Sequence, residues 1–295
     1  MATTLTLERF ADVEPFMALA GGFLEARETE HNLMLGIVTN VRTHPELIAE
    51  PPYFAAVLDT GRAPVAAVVW TPPWQVVISE CDDPNAIDLV LDDLVGRMPL
   101  GVHAPVDVAA RFAAGWTART GQHAERSMHE LNYRLEAVTP PSGVSGAMRP
   151  ATLGDRDLII GWLRAFELEL FGVAQPRDPV TWVDLALAGR GRELAVWDDD
   201  GPVAFCGAGG RTPNGIRIGP VYTVPEHRRR GYASGLVAAV CQRHLDAGRR
   251  FAFLMADATN PTSNHVYQAI GFEAVGEIAE YRFGPPVGSE VASPT

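Results

Sequence analysis

The residue types best suited to holding an anion lie in one stretch, Val221 to Ser234, which ends in Arg228-Arg229-Arg230-Gly231-Tyr232-Ala233-Ser234. An apolar run from Ile216 to Val224 reads as a strand, Pro225 ends it, and apolar side chains from Gly231 to Leu245 recur at helical spacing. Arg228-x-x-Gly231-x-Ala233 therefore falls at a helix start. There the first backbone N–H groups have no partner within the helix, and the helix dipole presents its positive end. Gly231 and Ala233 have little bulk, so a phosphate can approach the backbone, and three consecutive arginines add charge beside it. A pyrophosphate suits this chemistry. A solvated basic helix start is the plainer alternative, and the rest of the chain has to decide between them.

After a second apolar strand, Phe251 to Met255, comes Asn260-Pro261-Thr262-Ser263-Asn264-His265-Val266-Tyr267, leading to Gly271-Phe272. In order and spacing the two stretches together resemble the GNAT N-acyltransferase superfamily. The resemblance implies that the R/Q-x-x-G-x-G/A loop, here Arg228, Arg229, Arg230, Gly231, Tyr232, Ala233 and Ser234, holds the pyrophosphate of acetyl-coenzyme A. Ala233 stands where glycine is commonest in the family. The resemblance further implies that Val221, Tyr222 and Thr223 meet the pantetheine arm, because an edge opened beside a strand offers unpaired N–H and C=O groups to its amides. Asn260 and Tyr267 would face the thioester end. Asn-Pro is also a common helix-initiating turn, so Asn260 has a purely structural alternative.

Attack of an amine on a thioester needs a neutral nucleophile, a polarised carbonyl and a proton for the departing thiolate. Tyr267 is the expected acid, since a phenol with a pKa of ~10 is protonated near neutral pH. Packing of the ring beside Ile270 and Phe272 is the alternative. The base is open. Asn214 to Val224 contains no Asp, Glu or His, so Glu167 and Glu169, on a helix that borders the acceptor cleft in this fold, stand as candidates together with water. An exposed helix face would account for them equally well.

The elements that must position these residues follow one plan twice. Thr4 to Leu7 alternates like a strand, and Val13 to His44 reads as two helices with a break near Glu28 to Asn32. Tyr53 to Leu58, Val65 to Trp70 and Gln75 to Ser79 follow as a meander of strands. A helix over Pro84 to Val95, a strand over Leu100 to His103, a helix over Val106 to Arg119 and a strand over His129 to Val138 complete the first half. The linker Thr139 to Gly146 has the Pro, Gly and Ser content of a boundary. A strand at Ala147, a capping box Thr152-x-x-Asp155, helices to Phe171 and over Val180 to Leu187, and strands over Leu194 to Trp197 and Pro202 to Gly207 lead to the anion stretch. Two strands ending near Phe283 and a loose tail from Gly284 close the second half.

This repetition predicts an α/β chain of two tandem domains, residues 1–140 and 145–285, and the resemblance implies that both are GNAT-like, each a mixed and mostly antiparallel sheet flanked by helices. The first is expected to be degenerate. At its corresponding junction stands Glu80-Cys81-Asp82-Asp83-Pro84, with no glycine and three carboxylates that would repel a pyrophosphate.

Composition narrows the functions. The 295 residues are 47% hydrophobic and 20% charged, with a net charge of -12, which argues against nucleic-acid or anionic-membrane partners. All 24 basic residues are arginine, so self-acetylation on lysine is excluded. Residues 1–143 hold 19 acids and 9 arginines, a net of -10, which favours a cationic acceptor; the remaining 17 acids and 15 arginines leave -2. Cys81, Cys206 and Cys241 lack metal-ligand spacing, so no metal site is expected, and with no signal-like start the chain is expected in the cytoplasm. The reading is an acetyl-coenzyme A-dependent N-acetyltransferase acting on the amine of a small molecule. Acetylation of a protein or peptide, and a noncatalytic acyl-coenzyme A sensor, are the alternatives, and the oligomeric state is open.

Overall fold

The structure, a computed structural model, describes residues 4–172 and 175–286. In chain order it contains β1 (Thr6–Phe10), α1 (Val13–Ala26), α2 (Asn32–Thr43), β2 (Tyr53–Leu58), β3 (Pro64–Trp70) and β4 (Val76–Ile78). Then come α3 (Pro84–Leu94), β5 (Gly101–Pro105), α4 (Val106–Thr120), β6 (Gln122–Leu135), β7 (Ala147–Pro150), α5 (Arg156–Phe171) and α6 (Pro179–Leu187). The chain continues through β8 (Arg192–Asp198), β9 (Pro202–Gly209), β10 (Gly215–Thr223), α7 (Tyr232–Asp246), β11 (Phe251–Asp257), α8 (Pro261–Ile270) and β12 (Glu273–Pro286). The two runs of elements repeat as the sequence predicts. They are organised as two compact units.

The first unit gathers the chain up to Met34, Glu46–Leu131 and the residues from Gly276 onward. Its strands lie in the order β1-β2-β3-β4-β5-β12. All of these pairs are antiparallel except β4 with β5, which are joined by the crossover helix α3. Strand β2 is buried along its whole length, as expected of an apolar run between two strands with helices over its faces. Val57, Val68 and Ile78 pack with Ile87, Leu91 and Trp116 in the core of this unit.

The last strand differs from expectation. The sequence suggests two strands between Phe272 and Phe283, and one strand, β12, runs through them. Gly276 is not among the glycines with positive φ, so it makes no turn. Ile278 to Arg282 pair antiparallel with Pro105 to Gly101 in the first unit. The tail expected to be loose from Gly284 is strand as far as Pro286, and residues 287–295 lie outside the described residues.

The second unit gathers Leu35–Pro45 and Asn132–Val275, with strand order β6-β11-β10-β9-β8-β7. Here β7 to β10 pair antiparallel and β10 pairs with β11 in parallel. Helices α5 and α6 cover one face of this sheet. Ile159, Leu163 and Val183 pack on Leu194, Val196, Phe205 and Tyr222, which alternate along their strands. Helix α7 packs flush near Trp197, where a Cβ on Gly235 would lie 2.8 Å from the indole.

The predicted capping box forms. The Asp155 carboxylate accepts from the Thr152 N–H at 2.8 Å and takes both terminal nitrogens of Arg149, each at 2.8 Å. Asp155 is 5% exposed, and the Arg149 hydrogen bonds hold its carboxyl well below the usual carboxylate range. A folded-state pKa below the unfolded value stabilises the protein above the unfolded pKa, and this contribution is lost as pH falls through the folded value. Asp155→Ala is therefore expected to cost about 2–3 kcal/mol near pH 7, since it removes a cap and leaves Arg149 one carboxylate short. In denaturant unfolding the deficit should shrink as pH drops below about 4. A deficit that does not change with pH would remove the ion pair from this account.

Candidate functional site

The parallel pairing of β10 with β11 is short. It joins Gly215 to Arg217 with Phe251 to Phe253, after which β10 runs on to Thr223 and β11 to Asp257 as a splayed pair. On its other side β10 stays paired with β9, with Val221 opposite Cys206 and Thr223 opposite Ala204. A bulge between Ile218 and Val221 sets two residues, Gly219 and Pro220, against Gly207 alone. Both glycines are needed there. Gly219 has φ 139°, and a Cβ on Gly207 would lie 2.7 Å from the Gly219 carbonyl oxygen. Val221, Tyr222 and Thr223 thus lie on a stretch of strand with one edge opened. The Thr223 hydroxyl is buried with no hydrogen-bond partner among the described residues.

The chain then turns through a single 3-10 turn, Pro225–His227, into Arg228, Arg229, Arg230 and Gly231. Arg229 (φ 64°) and Gly231 (φ 82°) both take left-handed backbone, which folds the loop back over the start of α7. Gly231 occupies the N-cap position and has no side chain to offer, so no side chain caps the helix. The first intrahelical bond runs from the Gly235 N–H to the Gly231 carbonyl, at 2.9 Å. The N–H groups of Tyr232, Ala233 and Ser234 precede it, at the positive end of a helix of 15 residues. Nδ1 of His227 is buried nearby with no hydrogen-bond partner among the described residues. The N–H groups at this helix start and the bare Gly231 fit an anionic group at this end of α7.

The three arginines are not equivalent. Arg228 donates through Nε to the Thr223 carbonyl at 2.9 Å and through Nη2 to both Glu169 oxygens, and its guanidinium lies 5.4 Å from the centre of the Tyr222 ring. Arg230 reaches the Glu226 carbonyl at 3.4 Å. Arg229 is exposed and makes no hydrogen bond or ion pair among the described residues, which leaves its charge available at the loop. Tyr232 is held from behind by a hydrogen bond from its hydroxyl to Asp199, which also accepts from Ser145 of the linker. Those bonds hold the Asp199 carboxyl below its usual range.

The two candidate bases are both engaged. Glu167, 2% exposed, takes Nε of Arg177 at 2.6 Å. Glu169, on the more exposed side of α5, carries Arg228 and accepts the Tyr222 hydroxyl at 3.3 Å. Alternate positions on a helix point to different sides, and α5 places these two carboxylates in separate networks.

Asn260 is the N-cap of α8, its side chain accepting from the Ser263 N–H at 3.1 Å, with Pro261 at the first helical position. One turn on, Asn264 bonds the Asp257 carbonyl at the end of β11 and accepts from the Tyr133 hydroxyl at 3.3 Å. Tyr267 is half-buried, with its ring 5.9 Å from Phe272 and 6.3 Å from Tyr133. Its hydroxyl makes no hydrogen bond among the described residues. Burial pushes the phenol well above the ordinary range, with smaller contributions from Cys206, Cys241 and Tyr133. Asn264 and Tyr133 were not predicted. Tyr133 lies far away in sequence, on β6, and no local signal ties it to α8.

The corresponding junction of the first unit is built differently. Its helix, α3, is capped by the Asp83 carboxylate, which accepts from the Asn85 N–H at 2.9 Å and so fills the place an anion would take. Glu80 is tied to His31 and to Arg27, each at 2.6 Å.

Over residues 202–283 the chain matches the family model described as FR47-like protein. Among solved structures it is similar to a Drosophila protein (TM-score 0.67, 14% identity, covering 95% of this chain and 99% of that one). It is also similar to a tandem GNAT protein from the clavulanic acid biosynthesis pathway (TM-score 0.55, 16% identity, 96% and 99% coverage). The chain has the tandem GNAT fold. A GCN5-related N-acetyltransferase from Sphaerobacter thermophilus shares this fold over 94% of the chain, with a TM-score of 0.58 and 17% identity. No curated protein matches the sequence. No helix among the described residues is long and apolar enough to cross a membrane. The FR47-like match spans β9 to β12, which includes the bulge, the opened strand, the arginine loop and Tyr267.

Proposed function

We propose that the protein is an N-acetyltransferase that moves an acetyl group from acetyl-coenzyme A to the primary amine of a small molecule. The observation that carries this reading is the uncapped start of α7, behind left-handed Arg229 and Gly231, next to a β10 that splays away from β11. The helix start and Arg229 hold the pyrophosphate, and the opened edge at Val221 to Thr223 takes the pantetheine amides. Residues 145–285 carry this machinery. Residues 1–140 do not bind the donor, because Asp83 already caps α3.

In the transfer, the amine nitrogen forms a bond to the thioester carbonyl carbon and the carbon–sulfur bond breaks. Tyr267 gives its proton to the departing thiolate and is reprotonated from solvent. The amine's proton goes to water, with Glu169 as the carboxylate nearer solvent; a proton on Glu167 would cost the buried Arg177 pair. Release of free thiol from acetyl-coenzyme A, followed against a panel of small amines and peptides, checks the reading. Thiol should appear only with an acceptor and in step with acetylated small amine. Tight binding of acetyl-coenzyme A with no transfer to any amine would favour a sensor, and transfer confined to peptides would favour the protein-acetylating alternative.

A further inference from the structure

Three arginines converge on the α5 and α6 side of the second unit's sheet, and the transfer chemistry does not use them. Arg192 on β8 and Arg217 on β10 both pair with Gly209 of β9, so the two side chains rise from one face with a glycine between them. It is the face of Leu194, Phe205 and Tyr222, the face that α5 and α6 cover. A Cβ on Gly209 would lie 2.8 Å from the Arg192 Cβ, and one on Gly210 would lie 2.9 Å from Nη2 of Arg217, so the bare glycines let both arginines lie against the sheet. From α6, the Trp182 ring stacks the guanidinium of Arg192 at 4.4 Å and that of Arg177 at 5.2 Å.

Charge compensation within this cluster is uneven. Arg177 has Glu167 at 2.6 Å. Arg192 makes no hydrogen bond or ion pair among the described residues, and the charges acting on it are the like-signed Arg217 and Arg177. Burial and those two guanidiniums pull its pKa well below the usual arginine value, yet it remains a cation near neutral pH. A desolvated guanidinium among like charges is costly unless an anion joins it. Planar guanidiniums held flat by an indole suit a carboxylate, which they can grip through paired N–H groups.

The position of the cluster says which molecule would bring the anion. Arg217 stands two residues before the bulge at Gly219, roughly 6.6 Å along the strand at the usual rise. The bulge adjoins the opened edge of β10. Resting on the proposed N-acetyltransferase reading, we infer that the acceptor is an amine that also carries a carboxylate, and that Arg177, Arg192 and Arg217 hold that carboxylate beside the transfer site.

Binding can be measured without turnover, which separates this inference from the enzyme reading. Isothermal calorimetry of the full chain with coenzyme A present would compare α-, β- and γ-amino carboxylates with their amides and with aminoalkyl phosphates. At least one amino carboxylate should bind tenfold or more tightly than its amide, about 1.4 kcal/mol. Arg192→Gln and Arg217→Gln should each erase that preference while leaving acetyl-coenzyme A affinity unchanged. The carboxylate-to-amide ratio of the unmodified protein stands even if a variant folds poorly. Amides bound as well as carboxylates, a preference for phosphates, or variants that weaken both members of a pair equally would overturn the inference. Selective carboxylate binding without any transfer would sink the enzyme reading, and with it the acceptor's role, while leaving the arginine cluster as a carboxylate site.

Discussion

Tyr267→Phe is expected to keep the fold and the affinity for acetyl-coenzyme A while lowering kcat roughly 10- to 1000-fold, the range of one proton-transfer group. The structure separates what the ring does from what the hydroxyl does. Phe272 and Tyr133 contact the ring, and phenylalanine preserves both contacts. The hydroxyl has no hydrogen-bond partner among the described residues, so its removal leaves no group unpaired. Burial raises the phenol's pKa, which keeps it protonated through neutral and mildly alkaline pH and able to donate as the carbon–sulfur bond breaks. The rise also makes it a weaker acid, so the expected effect lies near the middle of the range rather than at its top. An unchanged kcat, measured where chemistry limits turnover, would return Tyr267 to a packing role.

Local signals carried most of the fold. Thr152 and Asp155 predicted their capping box, Pro84 and Pro261 stand in the first turns of their helices, and the meander strands lie within a residue or two of expectation. Partners distant in sequence were not legible. Nothing in the composition of β12 says that Ile278 to Arg282 pair with β5 of the first unit, because a strand's pattern marks its faces and not its neighbour. The same limit hid the site's ionic organisation. Glu167 and Glu169 read as free carboxylates until Arg177 and Arg228 are placed beside them. The net -2 of the second half likewise conceals Arg177, Arg192 and Arg217, which come from three separate segments, and the charge-based expectation of a cationic acceptor took no account of them.

The second large effect concerns the phosphate cradle. Gly231→Glu is the substitution suggested by sequence, but φ 82° and a Cβ only 2.9 Å from Val144 mean that it would strain the loop as well as repel the ligand. Ala233→Glu is cleaner. Position 233 is half-buried in the first turn of α7, where a glutamate fits the backbone and its carboxylate is favoured by the helix dipole. The variant should therefore fold normally while its carboxylate competes with the pyrophosphate for the same N–H groups. Acetyl-coenzyme A affinity should fall by well over tenfold, more than about 1.4 kcal/mol.

Calorimetric titration of acetyl-coenzyme A into the unmodified protein and into Ala233→Glu tests the central claim most directly. The open helix start at Gly231 and the self-capped one at Asp83 predict one binding site per chain, lost or severely weakened in the variant. Two equivalent sites per chain, or a variant that binds as the unmodified protein does, would contradict it.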